Sequence, residues 1–206
     1  MFEPSIAWQR LRDGNREFSA MLGSQPTPAT RGQAPLAAVF RCSDDKMTSD
    51  LVFGQSRGTF IDVSTWGHVI DAGVLATIEY AVDTLEVPLI VVLGHAHCAA
   101  MQTALNSWNN VDIPDGATRA VVENAMSSLA QRGAGACRVE ELTRIHMAHI
   151  GTSLLAKSPA LARAVDRGQT AIISVVSDSA DGHIRTCGIV GDITERERDT
   201  YLLEVV

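Results

Sequence analysis

The sequence predicts an α/β fold, namely a mostly parallel four-stranded sheet with an antiparallel edge strand, flanked by helices and preceded by an N-terminal helical arm. Two observations support this prediction. Pro88–Leu93 is a continuous apolar run that stops at Gly94, which is typical of a parallel strand covered on both faces. Strand-like and helical patterns alternate before it, in the order strand, helix, strand, helix. That order favours parallel strands joined by right-handed crossovers.

Residues 1–34 are predicted to form an N-terminal arm, and such arms often pack on a second subunit. Pro4–Leu22 begins with proline and places apolar side chains at roughly helical spacing. Gly23–Pro35 is rich in Pro, Ser and Thr, which is typical of an extended connection. No composition shift or linker appears elsewhere, so residues 1–206 are predicted to form a single domain.

Five apolar segments are the predicted strands. The last two are separated by Asp181-Gly182, a turn signal that predicts antiparallel pairing at the edge of the sheet. The predicted strands are Leu36–Phe40, Thr59–Val63, Pro88–Leu93, Ala171–Val176 and Ile184–Val190.

Helical periodicity fills the intervals between these strands. Asp71 is the predicted N-cap of a helix that carries an apolar stripe from Val74 to Leu85. The tail Asp192–Val206 is predicted to be either a terminal helix or another intersubunit arm. Further helices are predicted at Thr48–Phe53, Ala99–Leu105, Gly116–Gln131, Val139–Lys157 and Pro159–Arg167.

The amino-acid composition argues against some classes of binding partner. The formal net charge is −7 and no cluster of Lys and Arg appears, which argues against a nucleic-acid phosphate binder. No uncharged apolar run is long enough to span a membrane, and Met1–Arg12 lacks the apolar core of a signal peptide. We therefore expect a cytoplasmic protein with a small-molecule substrate and neither a nucleic-acid nor a membrane partner.

Two of the four cysteines lie at predicted strand ends beside other ligand-type side chains. Cys42 follows the first strand, and His95 and Cys98 follow the central one. Such strand ends meet at one edge of a parallel sheet. Two thiolates and one imidazole form a common open zinc site, with the fourth position left to water, substrate or Asp44, so Zn²⁺ is the predicted cofactor. The alternative is a buried thiol pair with a core histidine, and Asp44 as a helix cap.

The combined pattern resembles the β-class carbonic anhydrases. Cys42-x-Asp44 followed by Gly94-His95-x-x-Cys98 is similar to the zinc motifs of that family. The resemblance implies reversible hydration of CO₂ to bicarbonate by a zinc-bound hydroxide, without an organic cofactor, in a homodimer or homotetramer. Weaker matching segments occur in the same order: Leu11-x-x-Gly14-Asn15-x-x-Phe18, Gln33, Ile78–Val82 and Val91-x-Leu93.

The resemblance also implies a role for each site residue. Cys42, His95 and Cys98 would be the zinc ligands. Asp44 would either bind the metal or pair with the basic residue two positions on, which here is Lys46, and would orient the hydroxide. Gln33 of a neighbouring subunit would hold the substrate oxygen, and Tyr80 would line a narrow pocket.

Several departures from the family pattern surround these residues. The usual Cys-x-Asp-Ser-Arg is Cys42-Ser43-Asp44-Asp45-Lys46, where lysine offers only a point charge and Asp45 adds an anion. The family's Arg-x-Ala-Gly appears as Ser64-Thr65-Trp66-Gly67, in which Trp66 either gates the pocket or fills space. Ala99 replaces the glycine that follows the second zinc cysteine. These changes predict weakened or redirected catalysis.

Two alternatives remain open at this point. One is hydrolysis of carbonyl sulfide or carbon disulfide at the same zinc site, and the other is a catalytically inactive zinc-binding family member. Residues left outside the zinc site are His97, the histidines His68, His146, His149 and His183, which are assigned core or surface roles, and the unpaired thiols Cys137 and Cys187.

Overall fold

A computed structural model describes residues 6, 8–16, 34–130, 138–178, 180 and 182–193. The chain divides into two compact units, Met1–Gln33 and Ala34–Val206. In the first unit, helix α1 covers residues 8–16 and carries an Arg16–Asp13 ion pair at 2.9 Å. Predictions made for residues 17–33, 131–137 and 194–206 concern residues outside the described part.

The second unit contains a five-stranded sheet in the order β2-β1-β3-β4-β5. Strands β1 to β4 are parallel, and β5 pairs antiparallel with β4 at the edge. The predicted fold class is therefore confirmed. The strands are β1 (Ala37–Cys42), β2 (Phe60–Thr65), β3 (Leu89–His95), β4 (Ala171–Ser177) and β5 (Ile184–Val190).

The two central strands are buried on both faces. Phe40 in β1 and Ile90 and Val92 in β3 are fully buried in one apolar cluster, whereas Val39 and Leu93 are buried on the opposite face. Because helices and loops cover both faces, these strands are apolar without alternation. The sheet is thus a rigid support for the residues at its carboxyl edge.

Helices connect and cover the strands. Asp71 caps α3 by accepting a hydrogen bond from the Val74 N–H at 2.9 Å, as predicted. Helix α4 continues past its predicted end at Leu105, because Ser107 extends its buried face. The helices are α2 (Ser49–Val52), α3 (Ala72–Asp83), α4 (Ala99–Asn110), α5 (Thr118–Ala130), α6 (Val139–Lys157) and α7 (Pro159–Asp166), with a 3-10 turn at Trp66–His68.

The strand ends differ slightly from the prediction, and the difference sets the position of the site. Leu36 is half exposed and precedes β1, whereas β1 continues to Cys42 because that residue pairs with Thr65 of β2. Strand β3 likewise continues to His95, which pairs with Ser177 of β4. Cys42 and His95 are therefore the last residues of adjacent parallel strands.

Gly94 allows helix α6 to approach β3 closely beside this edge. A Cβ atom at Gly94 would lie 2.7 Å from Met147 Cγ, which is far inside van der Waals contact. A side chain at this position would force Met147 or Thr143 of α6 to move, which glycine avoids. Among the described residues, no helix has the length and apolar character that crossing a membrane requires.

Candidate metal centre

Four potential metal ligands meet where β1 and β3 end. Cys42 and His95 close these strands, Asp44 lies in the loop after β1, and Cys98 immediately precedes α4. The ligand atoms of the four side chains all lie within 4.8 Å of one another. Both cysteines are buried, whereas His95 and Asp44 are partly accessible. The predicted constellation is thus brought together at one point.

The sulfur atoms have the separation that a tetrahedral zinc ion requires. With Zn–S bonds of ~2.3 Å, two ligands at tetrahedral positions are ~3.8 Å apart. Cys42 Sγ and Cys98 Sγ lie 3.7 Å apart. Cys98 Sγ is also 3.9 Å from Asp44 Oδ1. Two sulfurs, one imidazole nitrogen and a carboxylate form a donor set that suits Zn²⁺, so these residues fit the predicted cofactor.

The Asp44 carboxylate is held at both oxygens. Oδ1 lies 2.8 Å from His95 Nε2, and Oδ2 accepts a hydrogen bond from the Ala99 N–H at 2.7 Å. Ala99 is the first residue of α4, where the N–H groups have no partner within the helix and the helix dipole favours negative charge. The start of α4 therefore anchors Asp44 independently of its histidine partner.

Proton sharing dominates the electrostatics of the metal-free site. Burial opposes the ionisation of Asp44, but hydrogen bonds with Cys42, His95 and the Ala99 N–H outweigh it and hold the pKa of Asp44 below its usual value. Burial also opposes the charge on His95, yet hydrogen bonds with Cys42 and Asp44 raise the pKa of His95 to about 9. The metal-free site thus favours an imidazolium beside a carboxylate.

The pKa values of the Cys42 and Cys98 thiols are shifted in opposite directions. The hydrogen bond with Cys98 and then burial raise the pKa of Cys42, whereas the hydrogen bond from Cys42 lowers the pKa of Cys98 despite burial. The backbone N–H groups of Met101 and Ala100 also favour the Cys98 thiolate. A proton held between the two sulfur atoms is therefore favoured on Cys42 rather than on Cys98.

The side chains of Asp45 and Lys46 contribute no ligand atom to the cluster. Lys46 is exposed and forms no ion pair with Asp44. Asp45 Oδ1 accepts a hydrogen bond from the Met47 N–H at 2.9 Å, while its Oδ2 is buried without a hydrogen-bond partner among the described residues. Arg41 donates to the Met47 carbonyl at 2.7 Å. The loop after β1 is thus held through Met47.

The predicted pocket residues are distributed around the centre. Trp66 is half-buried and packs on the apolar cluster that contains Cys42 and Cys98. Ala99 is exposed beside Asp44. Tyr80 lies on α3 with 52% of its surface exposed. Gln33 lies outside the described residues, so the structure leaves its predicted position open.

Three residues with a direct bearing on the site were missed as functional residues in the sequence. The Gly67 N–H donates to Cys42 Sγ at 3.2 Å, and His146 Nε2 lies 3.1 Å from the Gly67 carbonyl oxygen. His68 is fully buried, with its Nε2 3.1 Å from the Leu93 carbonyl oxygen. The signal for His68 and His146 was a histidine beside apolar residues, whereas Gly67 was visible only as the last residue of the segment that corresponds to the family's Arg-x-Ala-Gly.

Comparison with known proteins gives a consistent result over nearly the whole chain. The sequence profile of a family described as carbonic anhydrase matches residues 37–184. A carbonic anhydrase of Mycolicibacterium smegmatis is 38% identical over 200 residues, which cover 93% of this chain and 97% of that relative. Carbonic anhydrase 2 of Mycobacterium tuberculosis has the same identity and coverage.

Solved structures share the fold at lower sequence identity. The β-carbonic anhydrase of Coccomyxa, in complex with acetazolamide, superimposes with a TM-score of 0.71 at 20% identity and covers 86% of this chain and 84% of its own. A tetrameric β-carbonic anhydrase of Sordaria macrospora gives a TM-score of 0.70 at 21% identity, with coverages of 90% and 98%. At these identities the likeness establishes the fold alone.

Proposed function

Since this chain belongs to the β-class carbonic anhydrase family, we propose that it catalyses the reversible hydration of CO₂ to bicarbonate with Zn²⁺ held by Cys42, His95 and Cys98. The observation that carries the proposal is the cluster of four ligand atoms within 4.8 Å, with the two sulfurs 3.7 Å apart. Zn²⁺, when bound, supplies Lewis-acid chemistry that lowers the pKa of water, so that hydroxide is available near neutral pH.

Asp44 has the position of a proton acceptor in this proposal. An imidazole nitrogen that ligates a metal cannot also donate to a carboxylate, so metal binding through His95 Nε2 would free Asp44 Oδ1. Oδ2 would stay anchored by the Ala99 N–H. The Ala99 N–H still favours the carboxylate form of Asp44, so Oδ1 serves as an acceptor that orients the water that supplies the oxygen to CO₂.

The same geometry supports catalysis that is weaker than in a family member with the usual motif. The Asp45 carboxylate brings a further anion next to a site that already holds two thiolates and Asp44, which disfavours hydroxide. Lys46 is exposed and does not offset that charge. The Ala99 methyl group stands where the family has only a hydrogen, at the exposed side of Asp44.

The proposal includes a homodimer or homotetramer in which Gln33 of a neighbouring subunit holds the substrate oxygen and Tyr80 lines the pocket. Tyr80 is half exposed within the single chain, which is consistent with a surface that a second subunit covers. It also includes a cytoplasmic location, because two metal-binding thiols stay reduced there.

Stopped-flow measurement of CO₂ hydration between pH 7 and pH 9 tests the proposal. The zinc-loaded protein is expected to hydrate CO₂ faster than buffer, and more slowly than the Mycolicibacterium smegmatis relative assayed beside it. Zinc binding without hydration at any pH would contradict the enzymatic proposal, and would leave a zinc-binding protein of this family.

Substitution of a ligand provides the internal control. Cys42→Ser is expected to lose both zinc and activity, because a serine hydroxyl is a poor zinc ligand. Cys187→Ser is the matched control, since Cys187 is a half-buried free thiol in β5, away from the ligand cluster. Zinc content by metal analysis and hydration rate should fall together in the first variant and stay unchanged in the second.

A further inference from the structure

We infer that His146, a fully buried histidine on α6, is a positioning residue that acts through Gly67 on the Cys42 thiolate. This inference rests on the proposed zinc site and goes beyond it, because His146 touches no ligand atom. The chain of contacts runs from Ser128 on α5, through the His146 ring and the Gly67 backbone, to Cys42 at the end of β1.

The three contacts fix the tautomer and direction of every donor. Ser128 Oγ and His146 Nδ1 are 2.9 Å apart, and His146 Nε2 and the Gly67 oxygen are 3.1 Å apart. A carbonyl oxygen only accepts, so Nε2 carries the ring proton. Because burial lowers the pKa of His146 to about 4, the ring carries a single proton, so Nδ1 is an acceptor and receives the hydrogen of the Ser128 hydroxyl. The ring is neutral, with both nitrogens used.

Glycine is the only residue type that fits at position 67, between the His146 ring and Cys42 Sγ. Its φ is +66°, a left-handed conformation that side chains disfavour. A Cβ atom there would overlap the Val121 side chain and lie 3.0 Å from that of Ala100. The 3-10 turn is held from its other side by His68, whose Nε2 reaches the Leu93 carbonyl of β3.

His146 thereby holds the turn that aims the Gly67 N–H at Cys42 Sγ. A hydrogen bond from an amide to a thiolate ligand draws electron density from the sulfur and fixes its direction. It also offsets part of the charge that two thiolates bring to the ion. Loss of such an outer contact typically weakens metal binding about 10- to 100-fold.

The test compares two substitutions of His146 with a matched histidine on the same helix. His146→Leu removes the donor to Gly67, whereas His146→Gln retains an amide N–H at about the position of Nε2. His149→Gln is the control, because within the described part of the chain the His149 ring is hydrogen-bonded to Ser153 of the same helix and makes no contact with Gly67. Zinc affinity is measured by chelator competition, and the sulfur-to-metal charge-transfer absorption is recorded with Co²⁺.

His146→Leu is expected to weaken Zn²⁺ binding about 10-fold or more and to shift the Co²⁺ band, while His146→Gln stays within about 3-fold of the unaltered chain. His149→Gln should leave both unchanged. Unaltered affinity and absorption in His146→Leu would overturn the inference. Equal losses in the Leu and Gln variants would overturn the hydrogen-bond role.

A measurement on the unaltered chain decides the matter if His146→Leu does not fold. Nitrogen NMR of the Cd²⁺-loaded protein should show a neutral His146 ring with its proton on Nε2, and a proton on Nδ1 would overturn the inference. These readouts do not involve CO₂. If the His146 variants change Zn²⁺ affinity and the Co²⁺ band as expected but the unaltered chain does not hydrate CO₂, the proposed function alone is rejected. If the unaltered chain hydrates CO₂ but His146→Leu binds the metal as the unaltered chain does, the inference alone is rejected.

Discussion

Binding of Zn²⁺ to the metal-free chain is expected to release about two protons at pH 7.5, because the ligands must be deprotonated to bind a metal. The structure identifies the two groups that carry them. The pKa of His95 is about 9, and the pKa of Cys42 lies above its ordinary value, so both are protonated at pH 7.5. The lowered pKa of Asp44 favours its carboxylate form, and the lowered pKa of Cys98 favours its thiolate form.

The number of protons released follows from these protonation states. At pH 7.5 a group with a pKa of about 9 is protonated at a ratio of about 30 to 1, so His95 contributes nearly one full proton. Cys42 contributes the second. Two released protons make the apparent zinc affinity rise about 100-fold for each pH unit near neutrality.

Two assays measure this number independently. Isothermal titration calorimetry in buffers of different ionisation enthalpy gives the protons released, and chelator competition at pH 7.0, 7.5 and 8.0 gives the slope of affinity against pH. Cd²⁺ is used beside Zn²⁺ because water at Cd²⁺ is less acidic, which separates protons of the protein ligands from protons of water.

An Asp44→Asn variant checks the cause. Without the carboxylate 2.8 Å from Nε2, the pKa of His95 is expected to fall, and release at pH 7.5 should decrease toward about one proton. Release of fewer than one proton by the unaltered chain would show that the ligands are ionised before metal binding. Release of three would show that Cys98 is a thiol. Either result would refute the proposed distribution of protons.

Three further substitutions have definite expected outcomes. Asp45→Ser should raise the CO₂ hydration rate, because the substitution removes a buried carboxylate oxygen that lacks a partner among the described residues. The serine hydroxyl still accepts a hydrogen bond from the Met47 N–H. An unchanged rate would show that Asp45 does not limit catalysis. Gly94→Ala should lower the free energy of unfolding by about 1–3 kcal/mol in urea titration, because the added Cβ meets Met147; stability equal to the unaltered chain would contradict the close packing of α6. Asp71→Ala should cost about 1 kcal/mol by loss of the α3 cap in the same titration, whereas Asp71→Ser should recover most of it.

The sheet could be predicted because its determinants are local. The apolar run that ends at Gly94 and the turn signal before β5 specify strands without knowledge of distant contacts. The end of β1 could not be placed from the sequence, since Cys42 belongs to the strand only through its pairing with Thr65. Pairing between strands is a property of the assembled sheet.

The ligand set could be predicted for the same reason, since its members follow two buried strands. The groups that hold the ligand side chains in place could not be predicted from the sequence. Asp44 takes its hydrogen bond from the Ala99 backbone, and every residue type other than proline carries that N–H. His146 reaches Gly67 across 79 positions of the chain, a separation at which no sequence pattern is visible.

The order of residues along the chain has a consequence for when the protein acquires its metal. All four ligand residues are synthesised by position 98, but the side chains that hold their surroundings come later. Met147 packs on Gly94, His146 bonds Gly67, and the Ser177 hydroxyl donates to the Gly94 carbonyl at 3.2 Å. On the ribosome, a nascent chain that ends shortly after Cys98 carries the ligands without their supports. We therefore expect a metal site with all of its supports only after α6 and β4 have emerged.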